Sequence, residues 1–189
     1  MKIIDEKIVF QGEMIEVVQK LVEINGKQKI FENGRRAPGV RLIIETGEGF
    51  LITKEERPEI GMDFRIAGGK VFDSLLEYNQ FLLEKKNEGE ILEKAKETAI
   101  REAMEEVGVK PTELELFYIS KCGGSLEWDL YYFIVKKYEK TRQNLTDWEK
   151  IEVLKVSKEE LKEMALTGKM QEDRSAAVIL RYLNSKHSL

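Results

Sequence analysis

With 189 residues and 42% hydrophobic content the chain is long enough for one domain with a sizeable core, and a single domain over residues 1–189 is the simplest expectation. A net charge of −4 with both signs interspersed gives no broad basic surface, so neither nucleic acid nor an anionic membrane is expected as a partner, and a phosphate ligand has to be met by local cations. No apolar run approaches the roughly 18 residues that span a bilayer and the N-terminus lacks a continuous apolar segment, so a cytoplasmic location is expected.

Strand-like runs are predicted over Met14–Ile24 and Lys27–Phe31, joined at Asn25-Gly26, a two-residue hairpin signal. Val40–Glu45 and Phe50–Glu55 follow, linked by Gly47-Glu48-Gly49, then a short strand at Phe64–Ile66. Residues 72–89 read as a helix: Ser74 with Glu77 makes a capping box, and Leu75, Leu76, Tyr78, Leu82 and Leu83 give an apolar stripe before Glu84-Lys85-Lys86-Asn87. Such a helix either packs against its own domain or a second subunit, or closes over a ligand as a lid. An acidic helix is predicted from Ile91 to Val107, then strands at Glu115–Ile119, Leu130–Lys136 and Ile151–Val156. A helix opened by Ser157 with Glu160 closes at Gly168, and a last one runs from Gln171 to Leu183. Strands and helices mix without strict alternation, which predicts an α/β protein with a mixed sheet between helices.

Cys122 is the only cysteine and is expected as a half-buried thiol at a strand end; with one cysteine there is no internal disulfide and no multi-cysteine metal site. His187, the only histidine, lies in a polar tail, and neither residue is a catalytic candidate.

The chemistry concentrates in Arg101-Glu102-Ala103-Met104-Glu105-Glu106-Val107-Gly108-Val109. Residues three and four apart are neighbours on a helix, so Glu102 sits beside Glu105 and Glu106 and their charges repel. A cation relieves that repulsion, and oxygen-only ligation selects a hard divalent ion such as magnesium; a solvated acidic face is the alternative. Gly108 permits the left-handed cap that turns the chain off the helix.

This order resembles the Nudix hydrolase signature: a glycine, five residues, a glutamate, seven residues, Arg-Glu, an aliphatic residue, any residue, two glutamates, any residue, a glycine and an aliphatic residue. Seven residues separate Glu93 from Arg101, and Glu102, Glu105, Glu106, Gly108 and Val109 fall in place, with Ala103 where a larger aliphatic is usual. Gly68-Gly69-Lys70-Val71 is similar to the glycine segment, but 23 residues rather than five separate Gly69 from Glu93, which places an insertion, residues 72–89, inside the signature. Phe10-Gln11-Gly12-Glu13-Met14, Glu56-Arg57-Pro58 and the stretch Ser120 to Tyr132, with Gly123-Gly124-Ser125-Leu126-Glu127, are similar to the ADP-ribose and nucleotide-sugar pyrophosphatase branch. That branch usually has Trp-Glu-Leu-Pro-Ala-Gly where this chain has Phe64-Arg65-Ile66-Ala67-Gly68-Gly69, a smaller aromatic and a base in place of the acid.

The resemblance implies a Nudix α/β/α sandwich with residues 1–36 as an antiparallel strand extension that commonly builds a homodimer. It implies magnesium, or manganese in its place, on Glu102 and Glu106, with Glu105 as a further ligand or water-holder and the carbonyl of Gly68 as a last contact. Glu93 and Arg101 are expected to orient the loop and helix through an ion pair. For the general base Glu149 and Asp147, in Asn144-Leu145-Thr146-Asp147-Trp148-Glu149, stand against Glu127. Arg57 either clamps a phosphate, together with the Gly69 backbone, or covers the sheet edge; Trp148 either anchors its loop or stacks on a base. The implied reaction cuts the pyrophosphate of a nucleoside diphosphate linked to another group, ADP-ribose first, GDP-mannose or another nucleotide sugar next, giving a nucleoside monophosphate and a phosphorylated partner. The alternatives are a pyrophosphohydrolase that clears nucleoside triphosphates and a sensor that binds nucleotide without cutting it.

Overall fold

A computed structural model describes residues 1–58, 60–84, 87–147 and 149–185. Trp148, His187 and the pair Lys85-Lys86, all considered above, lie outside the described residues.

The chain opens on an antiparallel meander of β1 (Lys2–Gln11), β2 (Glu16–Ile24) and β3 (Lys27–Arg35), extended by a two-residue strand, β8 (Leu126–Glu127), that runs parallel to β3. Asn25 and Gly26 both take left-handed φ, 52° and 74°, as a type I′ hairpin turn requires. β1 falls within the strand extension that the resemblance implied, but residue pattern alone does not mark it, because Ile3-Ile4 and Ile8-Val9 place apolar residues on both faces and break the alternation; register shifts against β2 at Ile3/Asp5 and Ile8/Phe10 reset the phase.

The second sheet runs β10 (Ile151–Val156), β5 (Gly49–Arg57), β4 (Gly39–Thr46), β9 (Leu130–Lys140), β7 (Val109–Ser120), with β6 (Gly61–Arg65) also on β5. β4 runs parallel to β9 and the other pairs are antiparallel, giving the mixed sheet expected. Val40 to Ile44 in β4 is a continuous buried run, the mark of a central strand covered on both faces. Alternation divides its side chains. Ile43 packs with Ile52, Tyr132, Leu161 and Tyr182 on one side, and Val40, Leu42 and Ile44 pack with Phe72, Phe81, Ala99 and Phe133 on the other. α3 (Lys158–Thr167) and α4 (Asp173–Leu183) cover the first face, and α1 (Leu75–Leu83) and α2 (Glu88–Glu102) the second. The result is an α/β/α sandwich with four α-helices, none long and apolar enough to cross a membrane among the described residues.

One fork in the sheet positions the site. β10 takes one edge of β5; the other edge pairs with β4 at residues 49–51 and with β6 at residues 53–57. β4 parts from β5 beyond Ile44, and residues 67–69 fill the gap by accepting from its backbone, Leu42 N to Ala67 O and Val40 N to Gly69 O, both at 2.9 Å. Gly68 fits there because φ is 156° and a Cβ would lie 2.1 Å from the Val40 carbonyl oxygen.

The inserted segment packs into the core. Leu75 and Phe81 are buried, and the Phe72 ring lies 5.0 Å from Tyr78 and 5.1 Å from Phe81. Asn79 Nδ2 donates to Glu16 Oε2 at 2.8 Å, tying α1 to the four-stranded sheet. The α1 cap is half the box expected: Ser74 accepts from Glu77 N, but Glu77 accepts from Asp73 N. α2 begins at Glu88, a turn before the expected Ile91, because Asn87 and Glu90 cap each other reciprocally. The Ser157–Glu160 box forms in full and Gly168 closes α3 at φ 75°. β7 starts at Val109, earlier than the expected Glu115, its pairing with β9 interrupted by irregularities near Pro111 and Leu116 that obscure the pattern. Cys122 is exposed in the β7–β8 loop and not half-buried, because the strand stops at Ser120.

Candidate active site

α2 does not end as a regular helix. Its last turn widens into a π-helical turn, Ala103–Val107, closed by Gly108 at φ 70°. A Cβ on Gly108 would meet Gln143 N at 3.0 Å, because the chain returns here: Gly108 O accepts from Thr141 N at 2.8 Å, Glu105 O from Asn144 N at 3.0 Å and Glu106 O from Gln143 Nε2 at 2.6 Å. The loop leading to Glu149 is thereby fastened to the acidic helix.

Glu102 and Glu106 face the glycine segment. Glu106 Oε2 accepts from Gly68 N at 2.8 Å, and a Cβ on Gly69 would stand 2.2 Å from Glu102 Oε1, so the backbone lies against both carboxylates. Burial pushes Glu106 up to about 7; the Gly68 N–H opposes this, while the charges of Glu102 and Glu55 add to it. Glu102 is also raised, by burial first, against the pull of Arg101 and with a push from Glu105 and Glu149. Desolvation disfavours both carboxylates as free anions, and a divalent cation on this face would hold them ionised. The carbonyls of Ala67 and Gly69 are taken by β4, whereas the Gly68 N–H already turns toward the acids.

Glu105 lies elsewhere. Its carboxylate pairs with Arg101 Nη1 at 2.9 Å outside the cavity, and Arg101 Nη2 reaches Glu102 Oε1, also at 2.9 Å. Among the described residues no three acidic, histidine or cysteine side chains gather as a metal cage. The expected Glu93–Arg101 ion pair is not made: exposed Glu93 pairs with Lys96 Nζ at 2.7 Å. Eight positions along one helix separate Glu93 and Arg101 by about 12 Å of rise, too far for a direct pair.

A cavity of about 510 Å³ opens in front of Glu102, Glu106, Gly68 and Gly69, and Arg57 and Glu149 also line it. Alternation along β5 and β6 sets Glu55, Arg57, Asp63 and Arg65 on one face: Arg57 donates to Glu55 at 2.7 Å, and Arg65 to Asp63 at 2.7 Å. Arg57 Nε is buried with no partner, a donor waiting for an acceptor. Arg36, Arg41, Lys70, Trp128 and Glu172 line the same cavity and were not site candidates in the sequence; Arg65, marked there only as a base in place of an acid, lines it too. Arg41 is buried and forks onto Glu172 at 2.9 and 3.1 Å; a charge inside the apolar run Val40–Ile44 was the signal that marked it. Arg36 lies over the Trp128 ring at 4.3 Å, its pKa lowered by burial and by Arg41.

The three proposed bases separate cleanly. Glu149 lines the cavity with its carboxylate held by Thr146 N and Oγ1, both at 2.9 Å. Asp147 is exposed and off the lining. Glu127 sits in β8, ion-paired with Lys20, and lines a second cavity.

With this geometry in place, comparison with known proteins is decisive on one point: the NUDIX domain model matches residues 35–177. The chain belongs to the Nudix family. The match spans the fork, the inserted α1 and all of the cavity lining except Met14, and leaves β1, β2 and nearly all of β3 outside the Nudix region. A crystal structure of an ADP compounds hydrolase is similar at TM-score 0.71, covering 95% of this chain and 90% of that one at 14% identity, which establishes the shared fold. No curated protein matches the sequence. Nudix proteins are pyrophosphohydrolases that generally use divalent metals.

Proposed function

We propose that this protein hydrolyses the pyrophosphate of a nucleoside diphosphate linked to a sugar, with ADP-ribose as the first candidate, giving a nucleoside monophosphate and a sugar phosphate. The observation that carries this is one cavity with two wall chemistries: Glu102 and Glu106, pushed toward protonation, face Arg57 with its unpartnered Nε.

Glu102, Glu106 and the Gly68 carbonyl are the groups to hold magnesium or manganese. That ion, when bound, neutralises phosphoryl oxygens and lowers the pKa of water. Arg57 donates to a phosphate oxygen, and the fork geometry of its guanidinium suits two such bonds. Gly69 lets phosphate approach the loop where any side chain would collide with Glu102. Glu149, steadied by Thr146, removes the proton of the attacking water. Arg101 positions Glu102 and Glu105 without touching substrate. The fold shared with an ADP compounds hydrolase agrees with this substrate class. The four-stranded sheet, with Ile3, Ile8, Phe10 and Ile30 exposed, is the surface for a homodimer.

A second reading, a sensor that binds nucleotide without cutting it, is favoured by the lack of a three-carboxylate cage among the described residues. One panel separates the two: protein with magnesium and ADP-ribose, nucleotide sugars, dinucleotides and nucleoside triphosphates, assayed for product. Nucleoside monophosphate from a diphosphate-linked sugar is expected; release from triphosphates alone replaces the substrate class, and tight binding with no product anywhere establishes the sensor.

A further inference from the structure

The inserted helix also reaches a cavity, through Tyr78. Beside the first cavity lies a second, of about 390 Å³, and Arg36, Pro38 and Trp128 line both. Tyr78 of α1 and Ile91 near the start of α2 supply one wall, and the loop around Gly123, with Asp129 and Tyr131, supplies the other. None of the groups assigned above to metal, phosphate or proton transfer faces it.

Its polar groups converge. Tyr78 and Tyr131 each feel the charge of Asp129, and burial is the chief reason both phenols are raised, Tyr131 to about 12, so both stay protonated as donors. Among the described residues the Asp129 carboxylate makes one loose ion pair, with Lys121 Nζ at 4.0 Å, which leaves it capacity to accept hydrogen bonds. A carboxylate with spare acceptor capacity next to two phenols suits the adjacent hydroxyls of a sugar ring. A nucleobase is served less well, since the Trp128 ring is already engaged by two guanidiniums, Arg36 at 4.3 Å and Arg174 at 5.0 Å.

We propose that the second cavity holds the sugar of the substrate, with Tyr78, Asp129 and Tyr131 reading its hydroxyls and Arg36, on the wall between the cavities, meeting its phosphate; this rests on the pyrophosphatase reading above. Through Tyr78 the insertion then contributes a specificity contact to the substrate site.

Tyr78→Phe and Asp129→Asn test this in the full-length protein. Tyr78→Phe keeps the ring packed on Phe72 and removes only the hydroxyl. Each variant is expected to raise KM for ADP-ribose by about five- to tenfold with little change in kcat, while the inhibition constant of ADP, which has no terminal sugar, stays within twofold. Calorimetry gives a second readout: affinity for ribose 5-phosphate falls by a similar factor, and affinity for inorganic phosphate does not. Equal shifts for ADP and ADP-ribose, or unchanged ribose 5-phosphate affinity in both variants, overturns the inference. Absence of turnover in the wild type sinks the pyrophosphatase reading instead, and the calorimetry still decides the cavity.

Discussion

The two walls of the first cavity are built by different means. The acidic wall comes from one stretch of helix, where four positions separate Glu102 from Glu106 and local geometry alone brings them together. The cationic wall is gathered from distant places: Arg36 after β3, Arg41 in β4, Arg57 in β5 and Arg65 in β6, aligned only by sheet register and by the fork at β5. The first wall depends on a local spacing, the second on the whole fold, and substitutions should expose that difference.

The severest test of the acidic wall is Glu106→Gln, expected to lower kcat by about a thousandfold or more while circular dichroism, and thermal unfolding at pH 5.5, stay native, since the variant keeps a partner for the Gly68 N–H. Next comes Glu149→Gln, with a loss of about 10² to 10⁴ in kcat, against Asp147→Asn and Glu127→Gln, which should remain within twofold; a large effect at Glu127 would move the base to the other cavity. On the cationic wall, Arg57→Ala is expected to lower kcat/KM by about ten- to a hundredfold, and Arg57→Lys to recover little of it, because a lysine cannot reproduce the fork. The two glycines set the walls against each other. Gly68→Ala drives a methyl into the Val40 backbone and should cost about 1–3 kcal/mol of stability, read by denaturant unfolding. Gly69→Ala meets only the movable end of Glu102 and should spare stability while weakening metal affinity.

The smallest effect is in pH. With its pKa raised to about 7 from 4.5, Glu106 favours the folded state most when protonated. That contribution is complete below about pH 4.5 and is lost as the pH rises through about 7. Chelator-treated protein should therefore melt lower at pH 8 than at pH 5.5, and Glu106→Gln should shrink that difference by about a few degrees. An unchanged difference in the variant would show that Glu106 is not the group responsible.

The contrast between the walls also explains what the sequence could reveal. The Glu102–Glu106 spacing, the Asn25-Gly26 turn, the Ser157–Glu160 cap and the Gly108 terminus are each encoded within a few residues, and each stands in the structure. Arg36 and Lys70 carry no such local mark, because their role depends on what the fork sets opposite them. Glu105 points away from the cavity for a subtler reason. Counting along an ideal helix puts it with its neighbours, but its carboxylate is drawn outward to Arg101. Glu93 was assigned from a pattern whose glutamate lies close to its glycine, whereas here that position falls inside α2. Residue pattern marks neither β1 nor β8, because one breaks its alternation and the other has only two residues; the family resemblance alone put β1 in a strand extension.

β5 is held on both edges at once, by β10 along its length and by β4 then β6 on the opposite side. Such a strand cannot peel away singly; releasing it undoes the sheet and one face of the cavity together. Its central amides, near Ile52 and Thr53, should thus be among the slowest in the molecule to exchange with deuterium, requiring complete unfolding before they open. Arg57, at the strand's end, is anchored to the part of the protein that comes apart last.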